Sequence, residues 1–434
     1  MEISGFENII SIYNFEYCAA VDSHENCEFS CFVKEEDIDS LIGLVDSDIS
    51  FQDNEFKFSG HVTDIAYSKD ISGCFVEVKT VGKTYVFDKD KKYRVFQNKE
   101  KTVSDILSFM ESISDVNVLD DSDIILEDIL FQNNETDWEF VLRICKSIGV
   151  HFFTGEKNYI GKSGTNTKNI EEIDCIDYKV SASIYAGKLY CRLKDSLFLG
   201  DKVSFGEKQY VIENKKYRFE KEQYYYEYIL REIGEKTVTK ETNSVYVNAI
   251  VTDNNDPDKK GRLQVNFEND YIQDCMKDNP VWIERLDLYA SKGLGTVFIP
   301  NVDDKVRIHI YEGKAYVIGC VRDEAYAEQY QDSCNKYLIL SDKIYFEYKE
   351  DVLTLFNKDN KIEITEDSIS IMVGEKSSVV SEKDRVCISV DKSSVEIASD
   401  ISMKTNKVIS EAKSDASITA TNVNIKGKSG VSIN

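Results

Sequence analysis

From residue 1 to about residue 98 apolar and polar side chains alternate, as in Glu28/Phe29/Ser30/Cys31/Phe32/Val33, Phe56/Lys57/Phe58 and Val76/Glu77/Val78. A period of two sends successive side chains to opposite faces of an extended chain, so this stretch predicts strands separated by short polar turns. Three stretches change period. Ile38, Leu41, Ile42 and Val45 predict one helix face, and Val103, Ile106, Leu107, Met110 and Ile113 predict another. In the third, Thr136 and Glu139 fit a capping box, Trp138, Val141, Leu142 and Cys145 form an apolar flank, and Gly149 stands at the C′ position. Alternation returns from Tyr178 to Ile233, where Tyr224, Tyr226 and Tyr228 face one way and Tyr225, Glu227 and Ile229 the other.

The charged stretch GEKTVTKETNS, residues 234–244, breaks the alternation and is expected to be a linker. Beyond it come the short strand-like runs VYVNAIV, GRLQVNF, VWIERL, GTVFI, KVRIHI and AYVIGC, as a small closed barrel of the OB type would need. After residue 335 apolar couples two apart recur every few residues: Ile362/Ile364, Ile369/Ile371, Ile388/Val390, Val395/Ile397, Ile401/Met403, Val423/Ile425 and Val431/Ile433. This is an internal repeat whose units are each too small to bury a face alone, so it needs neighbours, either further coils or further copies.

Length and composition narrow the picture. A chain of 434 residues is long for one core, and 42% hydrophobic residues exclude wholesale disorder. The net charge of −25 opposes nucleic-acid and anionic-lipid partners. Eleven cysteines without CxxC spacing fit a reducing compartment. The start MEISGFENII lacks a signal peptide's basic residues, and no apolar run reaches the roughly 18 residues of a membrane span. Synthesis in the cytoplasm is expected.

Candidate chemistry is sparse. The loop around Gly155, Gly161, Lys162 and Ser163 has five residues between its glycines where a phosphate loop needs four, so a hairpin accounts for it better. Cys18, His24, Cys27 and Cys31 carry donors that zinc accepts, yet Cys27, Phe29, Cys31 and Val33 share one strand face, which favours core packing. His24, His61, His151 and His309 are the only histidines and none has a partner at ligand spacing. Adjacent acids such as Asp120/Asp121, Glu171/Glu172 and Asp303/Asp304 are common in so acidic a chain and are expected on the solvated surface. No catalytic residue, metal site or cofactor is expected.

The run DNNDPDKKGRLQVNF, then PVWIERL, then GLGTVFIPNVDDKVRIHIYEGKAYVIGCV resembles the OB domain of the VgrG and phage tail-spike family. The matching positions are Asp256, Pro257, Gly261, Arg262, Trp282, Gly293, Gly295, Pro300, Gly313, Ile318 and Gly319. Asn301 stands where that family has arginine, and Asp303 where it has glycine. ETDWEFVLRICKSIGVHFF, with Trp138 and Gly149, is similar to the family's hub signature.

The resemblance implies a mainly β chain: two hub β-barrel domains over 1–235 with a helical insertion at about 100–150, a linker at 236–244, an OB-fold barrel at 245–325, and a C-terminal triple-stranded intertwined β-helix at 335–434. It also implies a homotrimeric central spike of a contractile injection machine, such as a type VI secretion system, phage tail or bacteriocin-like particle. Such a spike would meet a tube protein and baseplate proteins, carry a PAAR-like tip cap near Val431 and Ile433 with room for effectors, and reach the target membrane only on firing. A tail-associated cell-wall hydrolase is the alternative, signalled by a buried acidic pair in a cleft of the first 235 residues. An OB-type nucleic-acid binder would need basic, aromatic strands, which the OB region lacks.

Overall fold

The computed structural model describes residues 2–6, 8–53, 56–71, 73–110, 116–120, 122–155, 158–163, 167–171, 174–182, 187–220, 223–233, 244–268, 272–292, 294–311, 314–322, 334, 336–341, 343–398, 411, 414–415, 417 and 419–423. Two units divide the chain, residues 1–322 and 323–434.

The alternation in the first unit becomes one twelve-stranded sheet. Along its main path run Glu2–Ser4, Asp48–Asp53, Phe56–Asp70, Gly73–Gly82, Asn26–Val33, Ile9–Ala20, Lys208–Glu220, Gln223–Glu232, Lys188–Leu193 and Asp177–Ser181. Its two strand groups, one from each end of the hub sequence, join where residues 15–20 pair antiparallel with residues 214–219. One cluster of buried side chains serves both groups, with Cys27, Phe29, Cys31 and Val33 on the inner face of one strand. Aromatic edges lock the seam: Phe15 meets Phe51 at 5.2 Å in a T-shaped contact, and Phe56 stacks on Tyr217 at 4.6 Å. Gly60 permits the tight pairing nearby, because a Cβ there would lie 2.1 Å from the Val81 carbonyl oxygen.

A second cluster forms around the helices Val103–Phe109 and Asp137–Ile148. The helix expected from Ile38 to Val45 is shorter, Ile38–Ile42: Ile38 and Leu41 are buried, whereas Ile42 and Val45 are exposed because the chain turns at Gly43. Ile113 lies outside the described residues.

The third cluster belongs to a five-stranded sheet of Gln264–Phe267, Ser244–Asp253, Lys305–Tyr311, Lys314–Cys320 and Glu284–Arg285, in that order. Of the runs expected to be strands, GTVFI is not one. Leu294–Gly295 pairs only with Ala290–Ser291, and Val297, Phe298 and Ile299 follow as exposed backbone without a ladder partner. The OB region shares strand pairing and core with the segment that leads into the helices. Gln273–Cys275 pairs parallel with Lys92–Phe96, and Val95, Ile129 and Phe131 lie in the barrel's own core.

In the second unit, eight strands from Lys336–Ser341 to Ser393–Ala398 form an antiparallel meander in strict sequence order. Cross-strand partners trace an apolar row through Leu338, Phe346, Leu355, Ile362, Ile371, Val379, Ile388 and Val395. Within one chain these described strands, part of the segment expected to form the needle, make a single sheet. Ile401/Met403, Ile425, Val431 and Ile433 lie outside the described residues.

Candidate functional site

The polar turn at residues 253–263 is organised by one carboxylate. Asp256 is buried and accepts hydrogen bonds from the backbone N–H groups of Asp258 at 3.0 Å, Lys260 at 2.9 Å and Arg262 at 3.2 Å. Arg262 adds Nε at 3.0 Å and Nη2 at 2.7 Å, a two-pronged charged contact. The Arg262 guanidinium, helped by these backbone donors, holds the Asp256 carboxyl well below the usual carboxylate range. Pro257 presets φ next to it, and Gly261 supplies the left-handed φ of 71° at the exit. Arg285 then ties the turn to the opposite wall, donating to the Phe298 carbonyl at 2.8 Å and pairing with Asp287.

The other motif positions fall around this turn. Pro300 is buried, and its carbonyl accepts from Asn254 Nδ2 at 2.9 Å. Trp282 is half-buried beside Ile283, whose backbone bridges Leu263. Gly319 pairs with Arg307 at a bulge that leaves Ile318 as the extra, exposed residue. Gly295 pairs with Ala290. Gly293 and Gly313 lie outside the described residues. Asp303, at a position where the family carries glycine, adopts a φ of 74°, a conformation that costs a side-chain-bearing residue energy.

The hub signature forms a second constellation. Thr136 Oγ1 accepts from the Glu139 N–H, and the Glu139 carboxylate accepts from the Thr136 N–H. Gly149 closes the helix at a φ of 74°. Trp138 stacks on His24 at 4.0 Å, and His24 Nδ1 lies 2.9 Å from Thr84 Oγ1. Burial lowers the His24 pKa, against the opposing pull of Asp88. Beneath Trp138, the buried Asp137 bonds Lys92 Nζ at 2.5 Å and Arg94 Nη1 at 2.6 Å.

Sequence reasoning missed that ion cluster. It also missed Lys101, whose buried ammonium donates to the carbonyls of Asn98, Leu126 and Asp128. Burial lowers the Lys101 pKa to about 8. No short-range pattern marks either site, because each takes partners from distant segments.

The zinc-like set does not assemble. Cys27 and Cys31 are buried in the sheet core and Cys18 sits beside Asn214. Among the described residues no group of three or more His, Cys, Asp or Glu is placed to hold a metal ion. Gly155 lies in the loop and Gly161 at the end of a hairpin, His151–Phe153 paired with Tyr159–Gly161.

A cavity of about 430 Å³ opens at the hub seam, lined among others by Tyr17, Phe56, Phe198, Lys215 and Tyr226. Behind Tyr17 lies Glu25, which accepts its hydroxyl at 2.7 Å; burial raises the Glu25 pKa to about 7. The groups acting on this carboxyl are Tyr17 and Lys215, with no second carboxylate among them.

Residues 247–321 match the family described as the type VI secretion system/phage-baseplate injector OB domain. No curated protein matches the chain. Among solved structures, an E. coli type VI secretion component, reported as similar to T4 bacteriophage tail proteins gp27 and gp5, superposes with a TM-score of 0.55 at 14% identity, covering 74% of this chain and 99% of that one. A lidless PdpA–VgrG complex matches with a TM-score of 0.51 at 12% identity, covering 88% of this chain and 94% of its own. The chain thus matches the injector OB domain over residues 247–321 and shares its fold with a type VI secretion component and a PdpA–VgrG complex.

Proposed function

We propose that the protein is the homotrimeric central spike of a contractile injection machine, a non-enzymatic part that joins tube to tip and punctures the target membrane on contraction. The observation that carries this reading is an inversion of burial in residues 336–398. There the polar Thr354 and Ser370 are 6% and 7% exposed, while the apolar Ile371, Ile369 and Val395 are 42%, 49% and 59% exposed. An apolar face this long does not stay in water, so it must meet an apolar surface on another molecule.

In this reading the hub, residues 1–235, receives the tube and baseplate proteins, and the linker at 236–244 leads to the OB domain at 245–325. Residues 335–434 form the shaft, whose end near Val431 and Ile433 takes a PAAR-like cap and effectors. Asp256, Pro257, Gly261, Arg262, Trp282, Gly293, Gly295, Pro300 and Gly319 shape the OB domain, and Trp138 and Gly149 the hub. Assembly in the cytoplasm precedes export on firing. The acidic chain, at a net charge of −25, disfavours nucleic acid.

Native mass spectrometry of the full chain is expected to give a trimer. Ile362→Asp combined with Ile371→Asp should give a monomer with the first unit still folded. A monomeric, monodisperse wild-type chain would overturn the proposal.

A further inference from the structure

Two cysteines meet at one end of the large sheet of the first unit. The strand Asp177–Ser181 is the last on the main path of that sheet, and among the described strands it pairs with Lys188–Leu193 alone. Residues 177–180 are all exposed. The strand is thus held along one edge with little buried surface, which is where a sheet opens locally at the lowest cost.

Cys175 enters this strand and Cys191 lies on its neighbour. The Ile176 N–H donates to the Arg192 carbonyl at 2.8 Å, and this bond draws Cys175 alongside the stretch that carries Cys191. Cys191 sits between Leu189 and Leu193 on the core-facing side of its strand, and all three are buried. Cys175 packs against the same core, and the two thiols share a side-chain hydrogen bond. Both sulfurs are present as thiols.

Their surroundings differ, and the difference sets the order of any chemistry. Cys175 is half-buried, so a small oxidant in solution reaches it, whereas Cys191 is buried behind it. Burial, with Cys175 close by, pushes the Cys191 thiol up to about 12. Cys191 is therefore the slower partner, shielded from solution and placed to act on its neighbour's sulfur.

We propose that Cys175 and Cys191 form a redox latch: two thiols in a reducing medium that join as a disulfide when the protein meets a disulfide oxidant, fastening the edge strand to its neighbour. The Cys175 thiolate attacks one sulfur of a small disulfide such as oxidised glutathione, forming a mixed disulfide and releasing one glutathione thiol. The Cys191 sulfur gives up its proton and attacks the Cys175 sulfur, releasing the second glutathione thiol. Two protein thiols are oxidised and one glutathione disulfide is reduced. The latch does not depend on the spike reading; it needs only a change from a reducing to an oxidising medium.

Full-length reduced protein would be incubated with oxidised glutathione, blocked with N-ethylmaleimide and digested without reductant. The expected product is a peptide pair joined through Cys175 and Cys191, lighter than the two reduced peptides by two hydrogen atoms. Cys175 recovered as a blocked thiol would overturn the proposal, and so would a glutathione adduct on Cys175 beside a reduced Cys191.

Hydrogen exchange reads the latch itself. Oxidation should slow exchange of the amides of residues 177–181 by roughly tenfold or more. C175S leaves Cys191 in the core and should exchange alike before and after oxidant. Equal exchange in the two forms of the wild-type chain, or a difference that survives in C175S, would overturn the latch.

Discussion

The two units treat hydrophobicity in opposite ways. In the large sheet of residues 1–322 apolar side chains such as Phe15, Phe29, Phe51 and Val78 are buried in one core. In residues 336–398 the same kind of alternation leaves Ile362, Ile371, Ile388 and Val395 in the open. Both units obey the period of two. The difference is that the first closes its sheet over its own second strand group, whereas the described strands of the second form a single layer.

Substitution of core residues tests this contrast most strongly. Phe15→Ala should lower the melting free energy of the first unit by about 3–5 kcal/mol without changing the oligomer mass. Ile388→Ala should leave that melting transition in place and weaken the oligomer. Calorimetry and native mass together read both, and the contrast fails if the two variants behave alike.

A smaller effect concerns the hub seam and pH. The folded protein keeps the Glu25 proton up to about pH 7, whereas an unfolded chain releases it near the ordinary glutamate value. Stability should therefore fall as pH rises through that interval, by roughly 3 kcal/mol at most. Glu25→Gln should flatten the pH profile of the first unit's melting, and the second unit should show no such step.

Thr136→Ala removes the helix cap and should cost about 1 kcal/mol in the first unit. The smallest change is Asp303→Gly. It relieves a left-handed φ of 74° and should stabilise the OB domain by about 0.5 kcal/mol, seen as a small rise in its melting temperature.

Where signals were local the sequence was legible. Thr136, Glu139 and Gly149 are close neighbours that bond one another, so the helix they bound could be read from spacing. The Asp256 turn is similar, since its donors are two to six residues away. GTVFI misled because an alternating apolar run says nothing of whether a ladder partner is present, and here none of the described strands pairs with residues 296–299. Ile42 and Val45 misled because a spacing rule cannot see that the chain turns at Gly43.

The amino-acid order alone determined the β-rich character, the helix caps, the OB turn and the repeated apolar couples, since each follows from bonds and periods spanning a few residues. Tertiary structure decided the rest: the seam between residues 15–20 and 214–219, the parallel pairing of Gln273–Cys275 with Lys92–Phe96, and which face of the last sheet stands open. These depend on which distant edges and faces meet, and that is settled by the summed burial and hydrogen bonding of the whole chain rather than by any one stretch of it.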